Sequence, residues 1–143
     1  MTTYLTDANV WFALLVEEHE HHPATKRWFS GVLPDEAGLC RLVQLTLVRL
    51  LGTDRAMGGK ALPASEAWAL VQQLQEDERV VFLPEPRGLD AAVPALFRYR
   101  VPTPNLVNDA YLAAFALTAR LRLITRDRGF LQFRGLDVEI LPD

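Results

Sequence analysis

The chain alternates short apolar runs with longer stretches in which apolar side chains recur every three or four residues. "TYLT" (3–6), "AGLC" (37–40), "RVVFLP" (79–84), "LRLIT" (121–125) and "DVEILP" (137–142) are short and apolar and predict strands. Between the first two, "NVWFALLVEE" (9–18) carries apolar residues at 10, 11, 14 and 15, the stripe of an amphipathic helix. Further helices are predicted over 23–33, with Pro23 in the first turn, and over 41–51, closed by Gly52. Residues 65–78 predict a helix with Ser65 as its N-cap, and 88–100 one that bends or restarts at Pro94. "VNDAYLAAFALTAR" (107–120) is apolar nearly all round, as a helix at the centre of a fold would be. "DRAMGGKALP" (54–63) reads as a mobile loop.

Apolar strands separated by helices imply a parallel sheet covered on both faces, an α/β fold. At 143 residues the chain is expected to form one domain, 1–143, with a substantial core. No apolar run reaches the ~20 residues of a membrane helix, and the N-terminus lacks a secretory signal pattern. Cys40 is the only cysteine, so no internal disulfide can form, and a cytoplasmic location is the expectation. In "GLCRLV" it is expected to pack as a small apolar group.

Charge sharpens this picture. The net charge is −3, yet residues 98 to 134 hold seven arginines (98, 100, 120, 122, 126, 128, 134) against Asp109 and Asp127. That segment carries a local +5 and the rest of the chain −8, which suits a polyanion bound at one place or a surface that favours Arg.

Ligands of open α/β sheets bind beyond the carboxyl ends of the strands. Acids stand at those places. Asp7 follows the first strand directly, Asp127 follows "LIT" by two residues, and Asp109 opens the central helix, with Asn108 a candidate N-cap. Each acid alone has a structural reading as a cap or turn residue. Together in one pocket, three carboxylates would repel, raise one another's pKa and cost stability unless a cation neutralised them. Hard divalent ions such as Mg²⁺ or Mn²⁺ suit oxygen ligands.

"YLTDANVW", "NDAYLAAFA" and "LITRDRGF", in this order and spacing, resemble the three best-marked segments of the PIN-domain nucleases, and within them the VapC-type toxins of toxin–antitoxin pairs. The resemblance runs from Tyr4 to about Ile140. It implies a three-layer fold, a parallel sheet of four or five strands flanked by helices, and a carboxylate cluster that binds Mg²⁺ or Mn²⁺ and cleaves RNA phosphodiester bonds. Asp7, Asp109 and Asp127 match the first, third and fourth acidic positions as catalytic and metal-binding residues, and Asn9 and Thr125 match supporting polar positions. The second acid, usually Glu, is replaced by Gln44, which either faces the metal site as a neutral oxygen or is a polar residue at the core edge. Arg126 and Arg128 flank Asp127 and are candidates to contact RNA. A homodimer and a cognate antitoxin protein are further implications.

Other patterns carry less. "HEHH" holds every histidine (19, 21, 22), but its crowded spacing fits no common zinc site and reads as a solvated turn. Trp11, Trp28 and Trp68 fall at helical spacings suited to packing. A phosphoacceptor signalling domain would want a Lys after a late strand, and Lys26 and Lys60 are the only lysines, neither after a strand. The stronger rival is a catalytically silent PIN-like module that binds RNA or protein, made conceivable by Gln44.

Overall fold

A computed structural model describes residues 1–98 and 103–142 of the chain. Five strands, β1 (Tyr4–Thr6), β2 (Ala37–Leu39), β3 (Val80–Phe82), β4 (Arg122–Thr125) and β5 (Val138–Ile140), form one sheet in the order β3-β2-β1-β4-β5. Every neighbouring pair is parallel. Helices α1 (Ala8–Leu15), α2 (His22–Ser30), α3 (Arg41–Leu51), α4 (Asp54–Met57), α5 (Ala64–Gln75), α6 (Leu89–Ala95) and α7 (Leu106–Ala119) flank it, giving the α/β architecture expected from the alternation of elements. Among the described residues no helix is both long and apolar enough to cross a membrane.

Consecutive strand residues face opposite sides. Leu123 and Ile124, neighbours on β4, are both fully buried, so both faces of the sheet are covered. Ile124 packs with Val10 of α1 and Leu141, whereas Leu5 and Leu123 join the main core with Ala110, Ala113 and Phe115 of α7. The fully buried Trp11 anchors α1 edge-on against Trp28 and Phe29 of α2, with ring centroids 6.4 and 5.8 Å away. These tryptophans are packing residues. Gly38 in the middle of β2 has a steric reason: a Cβ there would run into the Leu83 side chain and stand 3.0 Å from the Tyr4 carbonyl oxygen.

The register aligns the carboxyl ends. Thr6 lies opposite Ile124, Leu39 opposite Phe82, and Thr125 opposite Ile140, so the residues that follow each strand gather along one edge.

Several element boundaries differ from the sequence expectation. The 54–63 segment is no plain loop, because Asp54–Met57 form a helical turn, ended by Gly58 and Gly59 at φ of +60° and +85°. The Asp54 carboxylate then accepts the Ala61 N–H at 3.2 Å and pins the return. Ser65 is not the cap of α5; Pro63 holds that position, its fixed φ of −56° setting the entry. α1 ends at Leu15 rather than 18, since Val16 turns extended. α6 stops at Ala95, one residue after Pro94, and residues 99 and 100 of the predicted helix lie outside the described residues. α7 starts earlier than expected, at Leu106 with Asn105 in the cap position, so Asn108 is helical and Asp109 sits in the first turn.

Candidate active site

Asp7 is an acid at the entrance to the core because it does two backbone jobs and one side-chain job. Its N–H continues the ladder by donating to the Ile124 carbonyl at 2.8 Å. Its Oδ1 accepts the Ala8 N–H at 2.7 Å, capping α1. Its Oδ2 accepts the hydroxyl of the fully buried Thr125 at 2.7 Å.

Thr125 is the hub. While its O–H donates to Asp7, its Oγ1 accepts the Asp127 N–H at 3.0 Å and the Asn9 amide at 3.4 Å. A hydroxyl has one donor and two acceptor sites, so all of its capacity is used. Asn9 Oδ1 in turn accepts the Arg126 N–H at 3.3 Å, tying the start of α1 to the end of β4. Asp127 caps the 3-10 helix Arg128–Gln132 through Oδ1, which accepts the Gly129 N–H at 2.8 Å. Asp7 and Asp127 therefore have the structural roles open to them individually, and the hydroxyl of one threonine links them.

Asp109 differs. Among the described residues no hydrogen-bond donor reaches its partly buried carboxylate. Burial pushes its pKa up to about 6, and the negative charges of Asp127 and Asp7 add to the rise. The Asp7 carboxyl is also raised, chiefly by burial and further by Asp127, against the lowering effect of its bonds from Thr125 and Ala8. The three acids thus share one electrostatic environment at the carboxyl edge of the sheet. They do not form a closed cage: among the described residues no three His, Cys, Asp or Glu side chains are grouped as a ready metal-binding set. Asp7 and Asp127 retain unused lone pairs beyond their backbone and Thr125 bonds, and Asp109 retains all of its own. An ion such as Mg²⁺, which keeps several waters and takes only one or two carboxylates plus phosphate, fits this donor set.

Gln44 lies outside this network. It is only 4% exposed; its Oε1 accepts from Arg41 Nη1 at 2.7 Å and its amide donates to Gln75 Oε1. The first bond lies within α3 and the second joins α3 to α5, and among the described residues neither end bonds to an acid.

The run of arginines does not fold into one patch. Arg122, at the start of β4, lies at the opposite edge and pairs with Asp137 at 3.1 Å and Glu139 at 3.6 Å. Arg126 is turned into the α1–α2 connection, where Nη2 donates to the His21 carbonyl at 3.5 Å. Arg128 is exposed beside Asp127, and Arg100 lies outside the described residues. The histidines are wired locally: His19 Nδ1 accepts the His21 N–H at 3.0 Å, and His22 Nδ1 bonds the Ala13 carbonyl at 2.9 Å. Two residues at this edge were not singled out from sequence. Glu85, just after β3, accepts the Tyr111 hydroxyl at 2.7 Å, two residues along α7 from Asp109. Arg41 opens α3, separated from β2 only by Cys40. The strand-end rule that flagged Asp7 points to both.

Residues 4–136 match the PIN domain family. The chain belongs to the PIN domain family. Among related PIN proteins, Ribonuclease VapC41 of Mycobacterium tuberculosis is 39% identical over 96% of this chain and 97% of its own length. Ribonuclease VapC37 of the same organism is 32% identical over 92% of each chain. The fold agrees with solved structures at low identity. VapC20 of Mycobacterium tuberculosis, described as a sarcin-ricin loop cleaving toxin, superposes with a TM-score of 0.70 at 22% identity over 98% of this chain and 100% of that one. VapBC2 from Rickettsia felis, bound to a DNA fragment from its promoter, gives a TM-score of 0.69 at 11% identity over 99% of this chain and 100% of that one.

Proposed function

We propose that this PIN domain protein is a divalent-metal-dependent endoribonuclease, the toxin of a type II toxin–antitoxin pair, acting in the cytoplasm as a single domain over residues 1–143. The observation that carries the reading is Asp109: a partly buried carboxylate that no hydrogen-bond donor reaches among the described residues, its pKa raised to about 6 by burial and by the charges of Asp127 and Asp7. The 39% identity to Ribonuclease VapC41 supports RNA as the substrate class. The likeness of the fold to VapBC2 supports an antitoxin protein as partner, and a homodimer is part of the same reading.

Asp7, Asp109 and Asp127 would hold Mg²⁺ or Mn²⁺. When bound, such an ion supplies Lewis acidity at a phosphate and lowers the pKa of water. The chain's own contribution is to set the acids. The Thr125 hydroxyl donates to Asp7 Oδ2, which fixes that carboxylate's orientation. Through the Asp127 N–H it also fixes where the second acid leaves the strand. Asn9 holds Thr125 and the Arg126 backbone together, so β1, α1 and β4 present the acids as one unit. Arg128, exposed next to Asp127, would meet phosphate.

Incubating the purified protein with an RNA pool in Mg²⁺ or Mn²⁺ should yield internal cleavage that excess EDTA abolishes. Intact RNA in both ions overturns the reading and leaves a binding module. Nothing in the site favours that rival, since Gln44, its only motive, makes no bond to the acids.

A further inference from the structure

Arg41 is the first residue of α3. Carrying the Leu5–Gly38 register two residues onward sets Cys40 across from Asp7, so Arg41 leaves the sheet beside the acid edge. Its side chain then runs away from β1 towards β3. The guanidinium carbon lies 5.0 Å from the ring centroid of Phe82, the last residue of β3, and Nη1 donates to Gln44 Oε1 at 2.7 Å. β3 is two strands from β1, about 10 Å at the usual strand spacing.

This cation is held but not neutralised. Phe82 and Gln44 fix its position, Arg41 is exposed, and among the described residues no carboxylate pairs with it. Four of a guanidinium's five N–H groups remain for a ligand. A positive side chain in the first turn of a helix works against the helix dipole, so stability of α3 does not account for it. A second exposed basic group, Arg128, follows β4 on the far side of β1, so Arg41 would form with it a pair of cations flanking the carboxylates along the sheet edge.

We propose that Arg41 binds an RNA phosphate neighbouring the one cleaved, and that Gln44 is its positioning residue. This rests on the ribonuclease reading. It also gives a physical reason for the departure of residue 44 from the usual acid. A carboxylate at that place would form an ion pair with Arg41 and cancel the charge the phosphate needs. An amide oxygen orients the guanidinium and leaves its charge intact. Gln75, which accepts from the Gln44 amide, fixes which end of that amide faces Arg41.

The test is the steady-state kinetics of the protein on a labelled single-stranded RNA oligonucleotide carrying a site mapped with the RNA pool, at fixed Mn²⁺ with varied NaCl and then at fixed NaCl with varied Mn²⁺. Arg41→Gln should raise KM about fivefold and leave kcat within about twofold. It should also flatten the dependence of log kcat/KM on log salt by about 0.7, the contribution of one phosphate contact on a single strand. Arg41→Lys should recover most of the salt slope. Gln44→Glu, with Arg41 still in place, should reproduce the KM rise and the flattened slope while its Mn²⁺ requirement stays as in the wild type. A residue needed only for folding would lower the melting temperature and the active fraction without moving the slope. An unchanged slope and KM in Arg41→Gln overturns the phosphate contact, and a lowered Mn²⁺ requirement in Gln44→Glu overturns the positioning role in favour of a metal-facing residue 44. If the wild type cleaves no RNA, the ribonuclease reading fails; if it cleaves and the variants behave like it, only the Arg41 assignment fails.

Discussion

Replacing Asp7 with Asn lowers kcat/KM for RNA cleavage by at least about a hundredfold. Removing groups that merely orient a metal ligand costs about 10- to 100-fold, and the ligand itself should cost no less. The fold should survive. An Asn side-chain oxygen at position 7 can still accept the Ala8 N–H that caps α1, while its NH2 replaces the oxygen that accepts the Thr125 hydroxyl, a change confined to the sheet edge. Thr125→Val supplies the graded comparison. It removes the hydroxyl that donates to Asp7 and accepts from Asp127 and Asn9, but leaves every acid in place, so its loss should fall within that 10- to 100-fold range. Cleavage time courses, paired with circular-dichroism melts to verify folding, check both. Asp7→Asn cleaving at the wild-type rate would remove Asp7 from the site.

The metal-free protein loses stability as pH rises from about 4 to above 6. Asp109 titrates near 3.8 when the chain is unfolded and near 6 when folded. Between those values the folded state binds the extra proton, so folding is favoured at the acid end and the penalty is complete once pH exceeds about 6. Asp7, raised by burial, acts in the same direction. Asp77 has the opposite sign, since its bonds from Arg79 hold its pKa below 3.8 and its contribution is already present above pH 4. His19, whose pKa burial lowers, also opposes the trend, because acid charges it more readily in the unfolded chain. The clean comparison is therefore between proteins. At pH 7.5 without divalent ions, Asp109→Asn should melt a few degrees above the wild type, and the gap should close by pH 5. The span from 3.8 to about 6 sets a ceiling of about 3 kcal/mol, reduced by the partial exposure of the carboxylate. A variant that melts lower than the wild type at both pH values would show that Asp109 is a stabilising cap.

The elements that position the site were legible in sequence because their signals are local. A three-residue apolar strand ending in an acid and an apolar-all-round helix leave few alternatives, and β1, β4 and α7 appear where those patterns place them. Caps were not legible at the same precision. Asn108 and Ser65 have the right chemistry, but each helix starts before them, at Leu106 and Ala64, so they lie within the first turn. The arginine run is divided for a geometric reason. A four-residue strand spans about 13 Å, so β4 sends Arg122 and Arg126 to opposite edges of the sheet although they are four residues apart. Gln44 shows a further limit. Its bond to Arg41 follows from an i, i+3 helical spacing, but its bond to Gln75 joins two helices that sequence does not place side by side.

Calorimetric titration of Mn²⁺ into the metal-free wild type and into Asp109→Asn, at pH 7.5 and again at pH 5, measures directly whether the three aspartates act as one cation site. The wild type should bind more tightly at pH 7.5 than at pH 5, and Asp109→Asn should bind at least about tenfold more weakly at pH 7.5. Equal affinity in the two proteins, or no binding by the wild type, would contradict it.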